Sequence, residues 1–159
     1  MSDSVQSHSA TRPDAVMPDA AVHTDHAGMD ILPYAECLTR LASVPVGRVG
    51  FVAAGEVEIL PVNHVVDGQN VAFRTGIGSK LSGACLGFPI TFEADGYDAT
   101  GGNGWSVVIH GTADVVEDAA EARRLAAALG THGWKGGDRP YWIRIRPFSI
   151  TGRQLPAPA

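Results

Sequence analysis

Apolar positions along the chain change period, and the changes divide it into elements. Tyr34, Cys37, Leu38, Leu41 and Val44 recur every three or four residues, which predicts an amphipathic helix ending before Pro45. Asp30 is placed to cap that helix, and Pro33 suits its first turn, where a missing N–H costs nothing. After Pro45 the period drops to two. The run GRVGFVAAGEVEILPVNHVVDGQNVAFRT reads as three strands joined by tight turns at Ala54-Gly55 and Asp67-Gly68. FPITFEADGYD and GWSVVIHGTADVV predict two more strands around a glycine-rich turn, Gly101 to Gly104. Asp118 then caps a helix, AAEARRLAAAL, that Gly130 terminates, and YWIRIRPFSITGR is a last strand. A third, short helix is expected from Ser79 to Leu86.

Strands joined mostly by hairpins favour an antiparallel barrel over a doubly wound sheet. The expected fold class is therefore mainly β (α+β), a six-stranded antiparallel barrel with a few peripheral helices. Residues 1–29, rich in Ser, Ala, Asp, Pro and His without periodicity, predict a disordered tail, and residues 30–155 one domain. His23 and His26 flank Asp25 in that tail, too weakly anchored to read as a metal site.

Composition narrows the function. Of 159 residues, 45% are apolar and 18% charged, an ordinary globular balance. A net charge of −5 argues against a general nucleic-acid binder, which needs a basic face. Two cysteines, Cys37 and Cys85, are too few for a metal knuckle or a disulfide framework and read as small buried hydrophobes. No run approaches the ~18 apolar residues that cross a bilayer, and the N-terminus lacks a secretory pattern. A cytoplasmic protein is expected.

Candidate chemistry centres on FRTGIGSKLSG. Lys80 and the third position, Leu81, break the phosphate-loop and dinucleotide patterns. A strand end, a glycine turn and a helix N-terminus can still attract an anion, helped by Arg74, Lys80, Thr75 and Ser79; the alternative is a solvated turn capped by Ser79. Alternation sets Val71, Phe73 and Thr75 opposite Ala72 and Arg74, and Leu60, Val62 and His64 opposite Ile59, Pro61 and Asn63. Pro61 inside a strand implies an edge or a bulge, so Pro61 and Asn63 mark backbone that could face a ligand. Trp142, Arg144 and Arg146 share a face that is either solvated or a surface for a planar anion. Trp105 reads as a core or interface anchor beside Ser106. His64 and His110 are isolated and read as structural or surface groups. With no Ser-His-Asp order, paired carboxylates or metal cluster, any redox chemistry falls to a cofactor.

Taken together, VGRVGFV, PVNHVVDGQNVAFRTGIGSKL, GWSVVIHG and WIRIRPFSITGR resemble the pyridoxamine 5′-phosphate oxidase-like flavoproteins over Tyr34 to Arg153, nearest the nitroimidazole-resistance-type branch. The resemblance implies a six-stranded split β-barrel, a homodimer, and FMN in two clefts between subunits. It implies that Arg74, Thr75, Ser79 and Lys80 hold the FMN phosphate, that Pro61, Val62 and Asn63 run beside the isoalloxazine, and that Trp105 and Ser106 line the cleft. Trp142 and Arg144 would approach the flavin from the partner subunit. The implied activity is an FMN-dependent oxidoreductase transferring a hydride between flavin and a small organic substrate. The same scaffold could instead serve a deazaflavin-dependent reductase, or a non-catalytic flavin or haem binder with His64 or His110 as axial ligand. The chain departs from oxidases of pyridoxamine phosphate in lacking their further basic groups for the substrate phosphate.

Overall fold

Turn chemistry sets the registers of the sheet. In the computed structural model, which describes residues 23–76, 86–130 and 141–155, Ala54 and Gly55 take φ of 51° and 84°. Two left-handed residues in a row match the twist of a two-residue hairpin. They join β2 (Val46–Ala53) to β3 (Glu56–Asp67), paired from Ala53↔Glu56 to Val46↔Asn63. Gly68, at φ 61°, turns β3 into β4 (Asn70–Thr75), paired from Asp67↔Asn70 to His64↔Phe73. β5 (Pro89–Asp98) and β6 (Asn103–Val115) form the next hairpin, and β7 (Tyr141–Gln154) ends the domain.

All pairings between these strands are antiparallel, in the order β7-β4-β3-β2-β5-β6, and β6 pairs back to β7. The sheet therefore closes into the expected six-stranded barrel, which removes its free edges. A seventh strand, β1 (Asp30–Leu32), pairs with β7 beyond the end of β4.

Inward-facing Val49, Phe51, Val62, Phe73, Phe92, Ile109 and Ile145 fill the barrel. Helix α1 (Tyr34–Ser43) closes it with Cys37 and Leu41. Gly152 makes room for that helix, since a Cβ there would lie 2.6 Å from Cys37 Sγ. The second helix, α2 (Ala119–Leu129), starts where Asp118 Oδ1 accepts from Glu121 N at 2.6 Å and ends at Gly130. It roofs a separate cluster of Ala72, Val116, Leu125 and Trp142 on the outside of the barrel. Among the described residues no helix is long and apolar enough to cross a membrane.

Two local expectations change. Asp30 belongs to β1 and does not cap α1, whose N-cap is Pro33 with no side-chain cap bond. Within the expected tail, residues 23–29 form a turn built by one carboxylate. Asp25 Oδ1 accepts from Ala27 N at 2.9 Å and Met29 N at 3.0 Å, while Oδ2 accepts from Arg153 Nε at 2.9 Å. Such an Asx-type turn has no periodicity to betray it. The rest of the expected tail lies outside the described residues, as do Ser79, Lys80, Cys85 and nearly all of the short third helix.

Candidate functional site

The β3–β4 hairpin and β7 bring four of the expected site residues onto one outer surface. Pro61 and Asn63 face outward on β3, and Arg74 faces outward on β4. The β3–β4 ladder ends at His64↔Phe73, so Asn63 and Arg74 follow as neighbours just beyond it. Arg74 pairs with Trp142 of β7, and its guanidinium carbon lies 5.9 Å from the Trp142 ring centroid. That is cation–π range and holds the positive charge on this surface. Among the described residues β3 has only β2 beside it over 56–63, so Pro61 occupies the half-edge expected of a strand proline.

Val62 and Thr75 point the other way and are each 4% exposed. What Val62 presents to the outer surface is its backbone. Trp142 is also 4% exposed, packed under α2. Arg144 is bound on two sides: Nη1 donates to Glu121 Oε1 at 2.7 Å, and Nη2 to Asp114 Oδ2 at 2.6 Å. Arg146 donates to Asp114 Oδ1 at 2.9 Å, and Arg124 to both oxygens of Asp67. This network ties α2 to β3, β6 and β7. Burial pushes the Asp114 carboxyl up, but the bonds from Arg144 and Arg146 outweigh it and hold the group below its ordinary range.

Trp105 and Ser106 stand elsewhere. Ser106 pairs with Asp95 and Arg153 on the outside of β6, with β5 and β2 between it and β3. Three strand spacings amount to roughly 14 Å. Trp105 lies over Gly96, where a Cβ would meet its indole nitrogen, and under the Arg40 guanidinium at 5.8 Å. Both residues line a small pocket of about 240 Å³ with Tyr97 and Arg153. One subunit alone does not bring this wall to Asn63 and Arg74.

Two features of the surface escaped sequence reasoning. Arg48 stands opposite Pro61 and bonds Glu93 at 3.0 Å and Asp95 at 2.5 Å across the β2–β5 pair. Alternation places Arg48 outward, but nothing local says that β5 lies beside β2. Next to it the outer face of the β2–β3 hairpin is bare: Val52, Val57 and Ile59 are 61%, 75% and 64% exposed. A contiguous apolar patch of this kind marks an interaction surface.

The two histidines separate. His64 is in the core, where Nε2 donates to Leu41 O at 2.8 Å and the ring meets Phe92 edge-on at 4.9 Å. Burial lowers its pKa, so it is neutral, and Nδ1 is buried without a partner. Its ring offers no nitrogen to a haem iron at the surface. His110 is exposed on β6, with Nδ1 3.1 Å from Thr91 Oγ1. Among the described residues no cluster of metal-ligating side chains occurs.

The donor set fits a flavin nucleotide. Arg74 would offer a cation to a phosphate, Asn63 and the 61–63 backbone would offer polar groups, and the bare strip would offer apolar surface. The sequence profile of the family described as pyridoxamine 5′-phosphate oxidase matches residues 33–154. A solved candidate pyridoxamine 5′-phosphate oxidase from Corynebacterium glutamicum is 36% identical, over 82% of this chain and 96% of that one, with a TM-score of 0.69. The structure of the FAD binding protein from Mycobacterium smegmatis is 34% identical, over 80% of this chain and 99% of that one, with a TM-score of 0.64. The uncharacterized protein Rv0080 of Mycobacterium tuberculosis is 35% identical over 77% of this chain and 82% of its own length. With its barrel and its sequence in accord, the chain belongs to the pyridoxamine 5′-phosphate oxidase family.

Proposed function

We propose that the chain is a flavin-dependent oxidoreductase that binds FMN on the outer face of β3 and β4 and acts as a homodimer on a small organic substrate. The observation that carries this reading is the adjacency of Asn63, Arg74 and Trp142 beside a bare apolar strip. Arg74 holds the phosphate, with Ser79 and Lys80 following it a few residues on in the sequence. The backbone of Pro61, Val62 and Asn63 hydrogen-bonds the polar edge of the ring. A second copy covers Val52, Val57 and Ile59, and it also explains Trp105 and Ser106, which reach the cleft only from the other subunit. Within one subunit, Trp142 and Arg144 also have structural parts. Trp142 holds the Arg74 of its own subunit, and Arg144 anchors α2.

A flavin bound here supplies the two-electron chemistry. The chain's own residues bind it, orient it and exclude water, and none is needed as an acid or base. FAD is the second reading, because the Mycobacterium smegmatis relative is described as an FAD binding protein.

A visible absorption spectrum of freshly purified protein tests the proposal. Flavin bands that bleach with dithionite and return in air support it, and the mass of the released cofactor separates FMN, FAD and deazaflavin. A colourless protein that takes up none of the three overturns it. Removing the Arg74 side chain should weaken FMN binding roughly tenfold to a hundredfold, as loss of a charge-assisted bond does.

A further inference from the structure

We propose that Arg153 is a further cofactor-contact residue, delivered across the subunit interface beside Ser106, and that Asp25 is the residue that positions it. The inference rests on the flavin reading above, in which Trp105 and Ser106 reach the cleft from the other subunit. It adds a donor to that wall.

The registers put Arg153 there. Asp95, Ser106 and Arg153 form a row across β5, β6 and β7, about 5 Å from strand to strand. The row is on the outer face, because Ala94 and Val107 beside it are buried in the core. All three residues line the pocket of about 240 Å³ with Met29, Tyr97 and Leu155. A ligand group that meets Ser106 is therefore next to the Arg153 side chain. Asp95, on the other side of Ser106, is engaged by Arg48.

The guanidinium is already held in place. Nε donates to Asp25 Oδ2 and Nη1 to Gly152 O, each at 2.9 Å. A planar fork fixed at two nitrogens has a set direction for the third, so much of its freedom is lost before a ligand arrives. Among the described residues Nη2 has no partner, and the side chain is 33% exposed, enough to donate into the pocket. Asp25 is fixed in turn: its Oδ1 takes the N–H groups of Ala27 and Met29, which leaves Oδ2 for Arg153. Asp25 also offsets the charge of Arg153, and Asp95 stands nearby. The site therefore suits a neutral acceptor, a carbonyl or hydroxyl oxygen of the riboflavin portion, rather than a second phosphate.

Titration of FMN and riboflavin into the full-length wild type, Arg153→Gln and Asp25→Asn tests this. Arg153→Gln should weaken both ligands alike, roughly tenfold, whereas Arg74→Ala weakens FMN alone. Asp25→Asn keeps an oxygen for Ala27 and Met29 but loses the bond from Arg153, and should weaken both ligands by a smaller factor, roughly threefold. Co-expression of Arg153→Gln chains with Arg74→Ala chains tests the crossing of the interface. A mixed dimer has one site with both arginines intact, so about a quarter of all sites should regain wild-type FMN affinity. Where Arg153→Gln fails to fold, Arg153→Lys, which keeps the charge, carries the same comparison. Unchanged affinities in the Arg153 variant, a loss for FMN only, or no recovered sites in the mixture would each overturn the proposal. So would losses that merely track melting temperature in the Arg153 and Asp25 variants, because Arg153 would then only pin the 23–29 turn. Each of these results leaves the flavin reading standing, whereas a wild type that binds neither ligand overturns both.

Discussion

The two halves of the barrel's outer surface are built from the same alternating strands and end in opposite states. Around Ala72 and Trp142 the surface is roofed by α2, and Val116 and Leu125 complete a dry cluster. On the β2–β3 hairpin the equivalent outward residues Val52, Val57 and Ile59 are open to solvent. The chain folds its own helix over one half and clamps it with Arg144, Asp114 and Glu121. It supplies no described element for the other half. An apolar strand face left bare beside a cationic corner is what a second copy and a flavin would cover, so the contrast itself points to function.

The contrast can be broken most forcefully at Trp142. Trp142→Ala should destabilise the fold by about 3–5 kcal/mol in chemical denaturation, because it empties the cluster under α2. Ile59→Ser, on the bare half, should leave the stability of the isolated subunit within ~0.5 kcal/mol yet shift the protein toward monomer in size-exclusion light scattering. If Ile59→Ser remains as dimeric as the wild type, the bare strip is not the subunit contact. Arg144→Ala should come next, costing about 1–3 kcal/mol by removing the bond to Glu121 and leaving Asp114 to Arg146 alone.

Acid should loosen the roofed half in a definable window. Hydrogen bonds from Arg124 hold the Asp67 carboxyl below its ordinary value of 3.8, and those from Arg144 and Arg146 overcome burial to do the same for Asp114. For a depressed carboxyl the unfolded chain binds more protons than the folded one as pH falls. The stabilisation is therefore complete above 3.8 and is lost as pH drops through the lower folded values. Melting curves between neutrality and pH ~3 should show it, and Arg144→Ala should flatten that acid limb. The smallest effect is expected at the cap. Asp118→Ala removes the bond to Glu121 N and should cost about 1 kcal/mol, read as a lower melting temperature.

Much of this architecture was legible in the residues alone. The hairpins announced themselves through Ala54-Gly55 and Asp67-Gly68, and α2 through Asp118 and Gly130, because turn and cap chemistry is local. Alternation set Val71 and Phe73 on the face opposite Arg74, and the barrel interior takes the first face. It could not show that Arg144, also outward, would be met by Glu121 from a returning helix. Nor could it show Asp25 reaching Arg153, 128 residues away. The shift of register between His110 and Gly111, where β7 has one residue more than β6, was equally hidden, since a bulge changes pairing without changing composition. At the candidate site the corner of Pro61, Asn63 and Arg74 was readable. The separation of Trp105 and Ser106 from it was not, because that distance depends on the order in which strands pair. Ser79 and Lys80 lie outside the described residues.

The central claim is that Arg74 anchors the phosphate of a flavin nucleotide on the outer face of β3 and β4. Parallel titration of FMN and riboflavin, which differ only by that phosphate, into the wild type and Arg74→Ala tests it most directly. The account predicts that the wild type binds FMN at least roughly tenfold more tightly than riboflavin and that Arg74→Ala removes most of the difference. Equal affinities for the two ligands in the wild type, or a preference for FMN untouched by Arg74→Ala, would contradict it.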